Sequence, residues 1–240
     1  MEKFKIGIWL TLVFALVVLA SNKIVLIPGI TGIRPADALP IVYGLLFGQV
    51  GAFACGVGAV LGDVAGGTAN AVTVSKFLGA FAAASIPYRV WQGMSSSREP
   101  QLIVKDTRTG VMFFILALLS AVPGSIMLPL FADHLGIVAY TEAFGKIIVN
   151  AVVFAVVLGG IIYKYVAPKC IEGDWQKFWL AAKDTKSTTR GMSIAILRIT
   201  LTALFIGVGF KFLMPAEMGQ TIVMYVMGIL SLVLLVLIRV

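Results

Sequence analysis

The chain reads as an all-α protein, a polytopic transmembrane helical bundle, and three observations predict it. Apolar residues make up 60% of its 240 positions and charged ones only 12%, against about 25% charged in a soluble domain. Mean hydropathy is +1.01. Apolar stretches of about twenty residues recur, the length at which a helix crosses a hydrocarbon core about 30 Å thick. Unbroken runs such as Ile6 to Leu19 and Ile229 to Ile238 lack the alternation of a barrel strand, so the helical solution to backbone hydrogen bonding in lipid is favoured.

Taken in order, the first predicted span is Ile6 to Ile27, preceded by Lys3 and Lys5. It is too long for the apolar region of a signal peptide, and Asn22-Lys23 offers no small-x-small cleavage site. The second and third, Ala36 to Gly48 and Val50 to Ala65, are short, glycine-rich and separated by Gly48-Gln49. They are expected to be kinked, partly re-entrant or joined by a very tight turn, arrangements tolerated where protein surrounds them. Val72 to Trp91, Gly110 to Phe131 and Ala143 to Val166 complete a six-helix core over residues 1–167. A linker, 168–190, leads to a C-terminal pair in 191–240, Ile194 to Leu213 and Gly219 to Ile238.

Basic residues set the expected orientation. With the N-terminus cytoplasmic, Lys3, Lys5, Arg89, Arg98, Lys105, Arg108, Lys164, Lys169 and the basic residues of the linker fall inside, whereas Lys23, Arg34, Lys76, Lys146 and Lys211 fall outside. That asymmetry follows the positive-inside rule and puts both termini in the cytoplasm of a cell with the chain in its plasma membrane. It also explains the net charge of +8 without nucleic acid. Trp175, Phe178, Trp179 and Leu180 among Lys169, Lys177 and Lys183 fit an amphipathic helix on the inner leaflet.

Several chemistries are disfavoured. A lone histidine, His134, leaves little basis for a metal site or a His-based catalytic constellation, so no catalytic residue, metal or cofactor is expected. Cys55 and Cys170 are expected to be free thiols. Acidic residues are nearly absent from the first, fifth, seventh and eighth spans, so a proton relay is missing. There is no Walker A loop, which leaves any ATP hydrolysis to another subunit.

Small residues mark close approaches. Gly7, Thr11 and Ala15 form one stripe on the first span. Gly51, Cys55, Ala59 and Asp63, with Gly58, Gly62 and Gly66 beside them, form two on the third. Such stripes let helix backbones meet, within the chain or, for a terminal helix at a bundle edge, with a partner.

Polar residues gather at the other mouth of the bundle: Arg34, Asp37, Asp63, Asn70, Lys76, Tyr140, Glu142, Lys146 and Asn150, with Asp133 and His134 nearby. Ionisable groups at membrane depth point to function by default, and these are the expected substrate-binding residues. The alternative reading is structural. It makes Arg34 and Asp37 a local ion pair, lets Asp63 pair with Lys76 or cap its helix, and has Asn150 bridge helices.

The segment Pro35-Ala-Asp-Ala-Leu-Pro40, then Gly44-Leu-Leu-Phe-Gly-Gln-Val-Gly-Ala-Phe53, Gly58-Ala-Val-Leu-Gly-Asp63, Gly66-Gly67 and Ile86-Pro-Tyr-Arg-Val-Trp91 resembles the S components of energy-coupling factor (ECF) transporters. The resemblance covers about the first 167 residues. It implies a non-enzymatic subunit that captures a vitamin or similar micronutrient at the outer face, partnered by a transmembrane scaffold subunit and a cytoplasmic ATPase pair. It also implies that Gly7, Thr11 and Ala15 stand where that family's first span packs on the scaffold. Flavins, deazapurines and other ring compounds are the expected cargo, with Phe47, Phe53, Phe77, Phe81, Tyr88 and Tyr140 available to stack. Two other classes compete. An intramembrane enzyme acting on a lipid or isoprenoid would want an Asp pair or a His dyad at one depth. A non-catalytic membrane scaffold module would explain the C-terminal pair.

Overall fold

A computed structural model describes residues 2–27, 31–94 and 102–172, all within the first of the two units into which the chain divides, Met1–Thr185. The expected amphipathic linker beyond residue 172 and the C-terminal helix pair lie outside the described residues. Helix α1 (Glu2–Ser21) is followed by a small antiparallel ribbon of β1 (Val25–Ile27) and β2 (Thr31–Gly32). A 3-10 turn (Pro35–Ala38) then leads into α2 (Leu39–Ala65). After α3 (Thr73–Met94) and α4 (Thr107–His134) comes a long helical stretch: α5 (Tyr140–Val153), a five-residue π segment (Phe154–Leu158) and α6 (Gly159–Glu172).

The first span is shorter than its apolar run suggests. It stops at Ser21, where Asn22 and Lys23 turn, and the Ile33 N–H donates to the Ile24 carbonyl (2.7 Å) to extend the ribbon. The apolar residues 24–27 are β-branched except for Leu26, and pairing satisfies their backbone as a helix would.

Helix α2 is two arms, residues 39–47 and 49–65, broken at Gly48 (φ 57°, ψ −134°). Residues 43 and 51 would be about 12 Å apart along a straight helix, yet a Cβ placed on Gly51 would collide with the Tyr43 carbonyl. Both ends of the element also meet the end of α1. Ile33 pairs with Ile24, and Asn22 donates to Asp63 Oδ1 (3.2 Å). The chain therefore doubles back at Gly48, so of the arrangements expected for the second and third spans the tight reversal is the one adopted. Glycine is required there, because its backbone lies where a Cβ is strained and the Tyr88 ring closes the space at 2.9 Å.

Packing follows small residues, since lipid offers helices no hydrophobic drive to associate and van der Waals contact between backbones must serve. The first arm crosses α3 at Gly44, against the Ala84 carbonyl. Gly79 of α3 faces the Gly124 Cα of α4 at 2.9 Å, measured from the Cβ it lacks. The second arm receives α1, with Gly58 against the Thr11 carbonyl and Gly62 against Val18 and the Ala15 carbonyl. The Gly7, Thr11 and Ala15 stripe is thus half-buried on the chain's own second arm. The Thr11 hydroxyl donates to the Gly7 carbonyl (2.7 Å). The opposite face, with Trp9 and Leu16, is outward.

Among the described residues four helical stretches are long and apolar enough to cross a membrane, Phe4–Ser21, Pro35–Ala65, Thr107–His134 and Tyr140–Cys170, of which Pro35–Ala65 reverses at Gly48. Helix α3 is not among them, for it carries Ser75, Lys76, Ser85, Arg89 and Gln92. Its position explains this. Residues 81–88 are buried throughout between α2 and α4, and Ser75 and Lys76 are buried as well, so lipid does not meet Ser75, Lys76 or Ser85, whereas Arg89 is half-buried and Gln92 exposed near the helix end. Helix α6 continues past Pro168, where the linker was expected to begin. Cys55 and Cys170 are free.

Candidate functional site

The doubling back of α2 brings Arg34 and Asp37, at the entry of its first arm, to the same end of the bundle as Asp63, which closes its second. Helix α3 starts there too, so Lys76 sits one turn in. Between the first arm, α3, α4 and α5 lies a narrow cleft of about 40 Å3. Arg34, Asp37 and Pro40 form one wall and Ser75, Lys76, Gly79, Ala80 and Ala83 the second. Ser120, Ala121, Gly124, Ser125 and Leu128 of α4, with Ile147 and Ala151 of α5, complete it. Toward the bundle end, Leu128 and Ile147 join Ile27, Val72, Ala132 and Ala143 in an apolar cluster.

Two ionic networks frame the cleft. In the first, Arg34 Nε approaches Asp37 Oδ1 at 3.5 Å. Asn150 bridges from α5: its amide donates to Asp37 Oδ2 (3.1 Å), and its carbonyl oxygen accepts from the Arg34 backbone N–H (3.3 Å). In the second, Lys76 Nζ lies 2.7 Å from Asp63 Oδ2 with both side chains almost wholly buried. The Thr73 hydroxyl donates to Asp63 Oδ2 (3.0 Å) and the Asn22 amide to Oδ1 (3.2 Å). A carboxylate and an ammonium withdrawn from water need such surrounding donors and acceptors to persist.

Of the nine residues expected to bind substrate, Arg34, Asp37 and Lys76 line the cleft, and Asp63 and Asn150 hold lining residues in place. The other four serve elsewhere. Asn70 shapes the turn before α3, its side chain accepting from the Val72 N–H (2.9 Å). Tyr140 is buried at the start of α5, where its ring stacks on Phe144. Glu142 and Lys146 form an exposed pair at 3.0 Å, one helical turn apart, on a face turned away from the cleft lining.

The aromatic residues expected to stack on a ring pack on one another instead. Phe77 stacks on Phe81, Phe53 tilts against Phe81, and Phe47 meets Tyr43 edge-on. Among the described residues no aromatic ring lines the cleft. Sequence reasoning passed over Ser75, Ser120 and Ser125, all buried. Each donates to a backbone carbonyl: Ser75 to Val72, Ser125 to Ala121 and Ser120 across the helix contact to Ala83 (2.8 Å). The signal was a run of small residues at steps of four, Ser75, Gly79 and Ala83 on α3 and Ser120 and Gly124 on α4, of the kind noted only for the first and third spans.

Among the described residues no cluster of three or more potential metal ligands occurs. Fold and apolar helices together define the class: this is a multi-pass α-helical membrane protein. No family model, curated protein or solved structure matches the chain.

Proposed function

We propose that the protein is a membrane-embedded solute-capture subunit of the ECF S-component type. It takes a small molecule from outside the cell and relies on a scaffold subunit and an ATPase pair for energy. The observation that carries this reading is the cleft itself, a concave space at the charged end of the bundle. It is walled by glycine, alanine and serine and edged by Arg34, Asp37 and Lys76. A mostly apolar hollow with a few convergent polar groups is the usual form of a small-molecule site. The reversal at Gly48 supports it, because the two arms place both ends of α2 beside the same mouth.

In this reading the charged end faces outward and both termini face the cytoplasm. The cargo is a micronutrient, and the absence of aromatic rings from the cleft favours one held by charge and shape over one held by stacking. The test is mass spectrometry of small molecules released from the full-length protein purified in mild detergent. A single compound at near-equal stoichiometry, taken up only from the outside when a scaffold and ATPases are present, is the expected result. A protein that is empty and that no solute stabilises would remove the capture reading and leave a scaffold module.

A further inference from the structure

We propose, building on the cleft as a solute site, that its solute is a small aliphatic oxyanion and that the Arg34 guanidinium is the group that holds it. Arg34 lines the cleft with its side chain only 11% exposed. Its Nε is buried and, among the described residues, donates no hydrogen bond. The 3.5 Å approach to Asp37 is longer than the roughly 2.7–2.9 Å of a charge-assisted bond. A buried guanidinium with unmade hydrogen bonds is costly. Its planar fork of donors matches a carboxylate or phosphate.

The neighbouring carboxylates are already engaged: Asp37 accepts from Asn150 and lies 3.5 Å from Arg34 Nε itself, and Asp63 accepts from Lys76, Thr73 and Asn22. Lys76 also lines the cleft, so an oxyanion there is attracted to two cations, against the repulsion of the Asp37 carboxylate in the same lining. The rest of the wall limits the body of the solute. The three serine hydroxyls give their protons to backbone carbonyls, and Gly79, Ala83 and Gly124 present only small apolar surface. Among the described lining residues there is no ring to stack on a solute.

The experiment measures binding to the full-length detergent-purified protein by calorimetry and thermal shift. Its probes are propionate, succinate, adipate and inorganic phosphate, with propionamide, succinamide and adipamide as uncharged counterparts. Saturable binding of a carboxylate or of phosphate, but not of the amides, is expected. Arg34→Gln should weaken it about tenfold or more, as loss of a charge-assisted contact requires, with Lys164→Gln unchanged. Whichever of the carboxylate and phosphate arms responds names the group. If Arg34→Gln does not fold, Arg34→Lys decides: selective weakening of oxyanion binding supports the assignment, and unaltered affinity overturns it. Binding of the amides with Arg34→Gln unaffected would overturn the oxyanion and leave solute capture standing. A protein that binds no probe and carries no small molecule would overturn both.

Discussion

Lys76 Nζ lies 2.7 Å from Asp63 Oδ2, joining the first turn of α3 to the last turn of α2 with both side chains 4% exposed or less. The pair locks the charged end of the bundle, and its energetics differ from those of a surface ion pair. Removing one partner leaves the other charge buried without compensation, at a cost of about 3–5 kcal/mol.

Asp63→Asn and Lys76→Met are each expected to destabilise by that amount. The double variant should be less destabilised than the sum of the two, because no unpaired charge remains. Reversible unfolding in mixed detergent micelles measures all three, and strict additivity would mean that the two side chains do not act as a pair.

At Gly48 the backbone is in a region closed to other residues and the Tyr88 ring is close by. Gly48→Ala should therefore cost about 1–3 kcal/mol. Gly67→Ala, at φ 67° with open space around it, should cost only the milder left-handed penalty of about 1–2 kcal/mol. Unfolding midpoints of the two variants give the comparison. Equal losses would show that the Tyr88 contact adds nothing to the reversal.

The contact of α1 with the second arm depends on Gly58 and Gly62 having no side chain. Gly62→Leu places bulk against Val18 and the Ala15 carbonyl, so α1 should separate from the arm. Cysteine cross-linking between Gly7 and Val50, whose Cγ1 lies 3.4 Å from the Gly7 Cβ position, should then fall well below that of the parent. Leu16→Ala, on the outward face, should leave cross-linking intact. Undiminished cross-linking in Gly62→Leu would count against close packing at this stripe.

Helix α4 begins with a reciprocal cap. Asp106 Oδ1 accepts from the Thr109 N–H (2.8 Å) and hydroxyl (2.7 Å), and the Asp106 N–H donates to Thr109 Oγ1 (3.1 Å). The Thr109 hydrogen bonds hold the Asp106 carboxyl below the usual carboxylate range. A lowered folded value means that the stabilisation is complete above the ordinary range and is lost as pH falls through the folded value. The melting difference between the parent and Asp106→Asn should accordingly be largest near neutrality and shrink below about pH 4. A difference independent of pH would assign the cap to shape alone.

Much of the framework was legible in order along the chain. Apolar runs located α4 to within three residues and α1 and the α5–α6 stretch to within six, because lipid demands an unbroken apolar helix where it touches one. Errors came where another constraint took over. Ile24 to Ile27 are as apolar as the span before them, yet they form a ribbon once Asn22 and Lys23 turn the chain. Pro168 failed to end a helix because a proline removes a single N–H bond, which neighbouring turns of a packed helix can tolerate. The polar residues were harder still. Asp63 and Lys76, Arg34 and Asp37, and Asn150 as a bridge all make the structural contacts foreseen as the alternative to binding. Arg34, Asp37 and Lys76 nevertheless line the cleft, so the two readings are not exclusive.

The amino-acid sequence by itself determined the membrane class and the helical solution, since composition and run length follow from the solvent and not from neighbours. It also carried the glycines that permit contact. The tertiary structure alone decided which end of α2 meets which helix, that Gly7, Thr11 and Ala15 face the chain's own second arm, and that Glu142 and Lys146 stand apart from Arg34. Those outcomes depend on the reversal at Gly48 and on contacts between residues far apart in sequence. A local pattern records which surfaces can approach, and only the folded chain records which ones do.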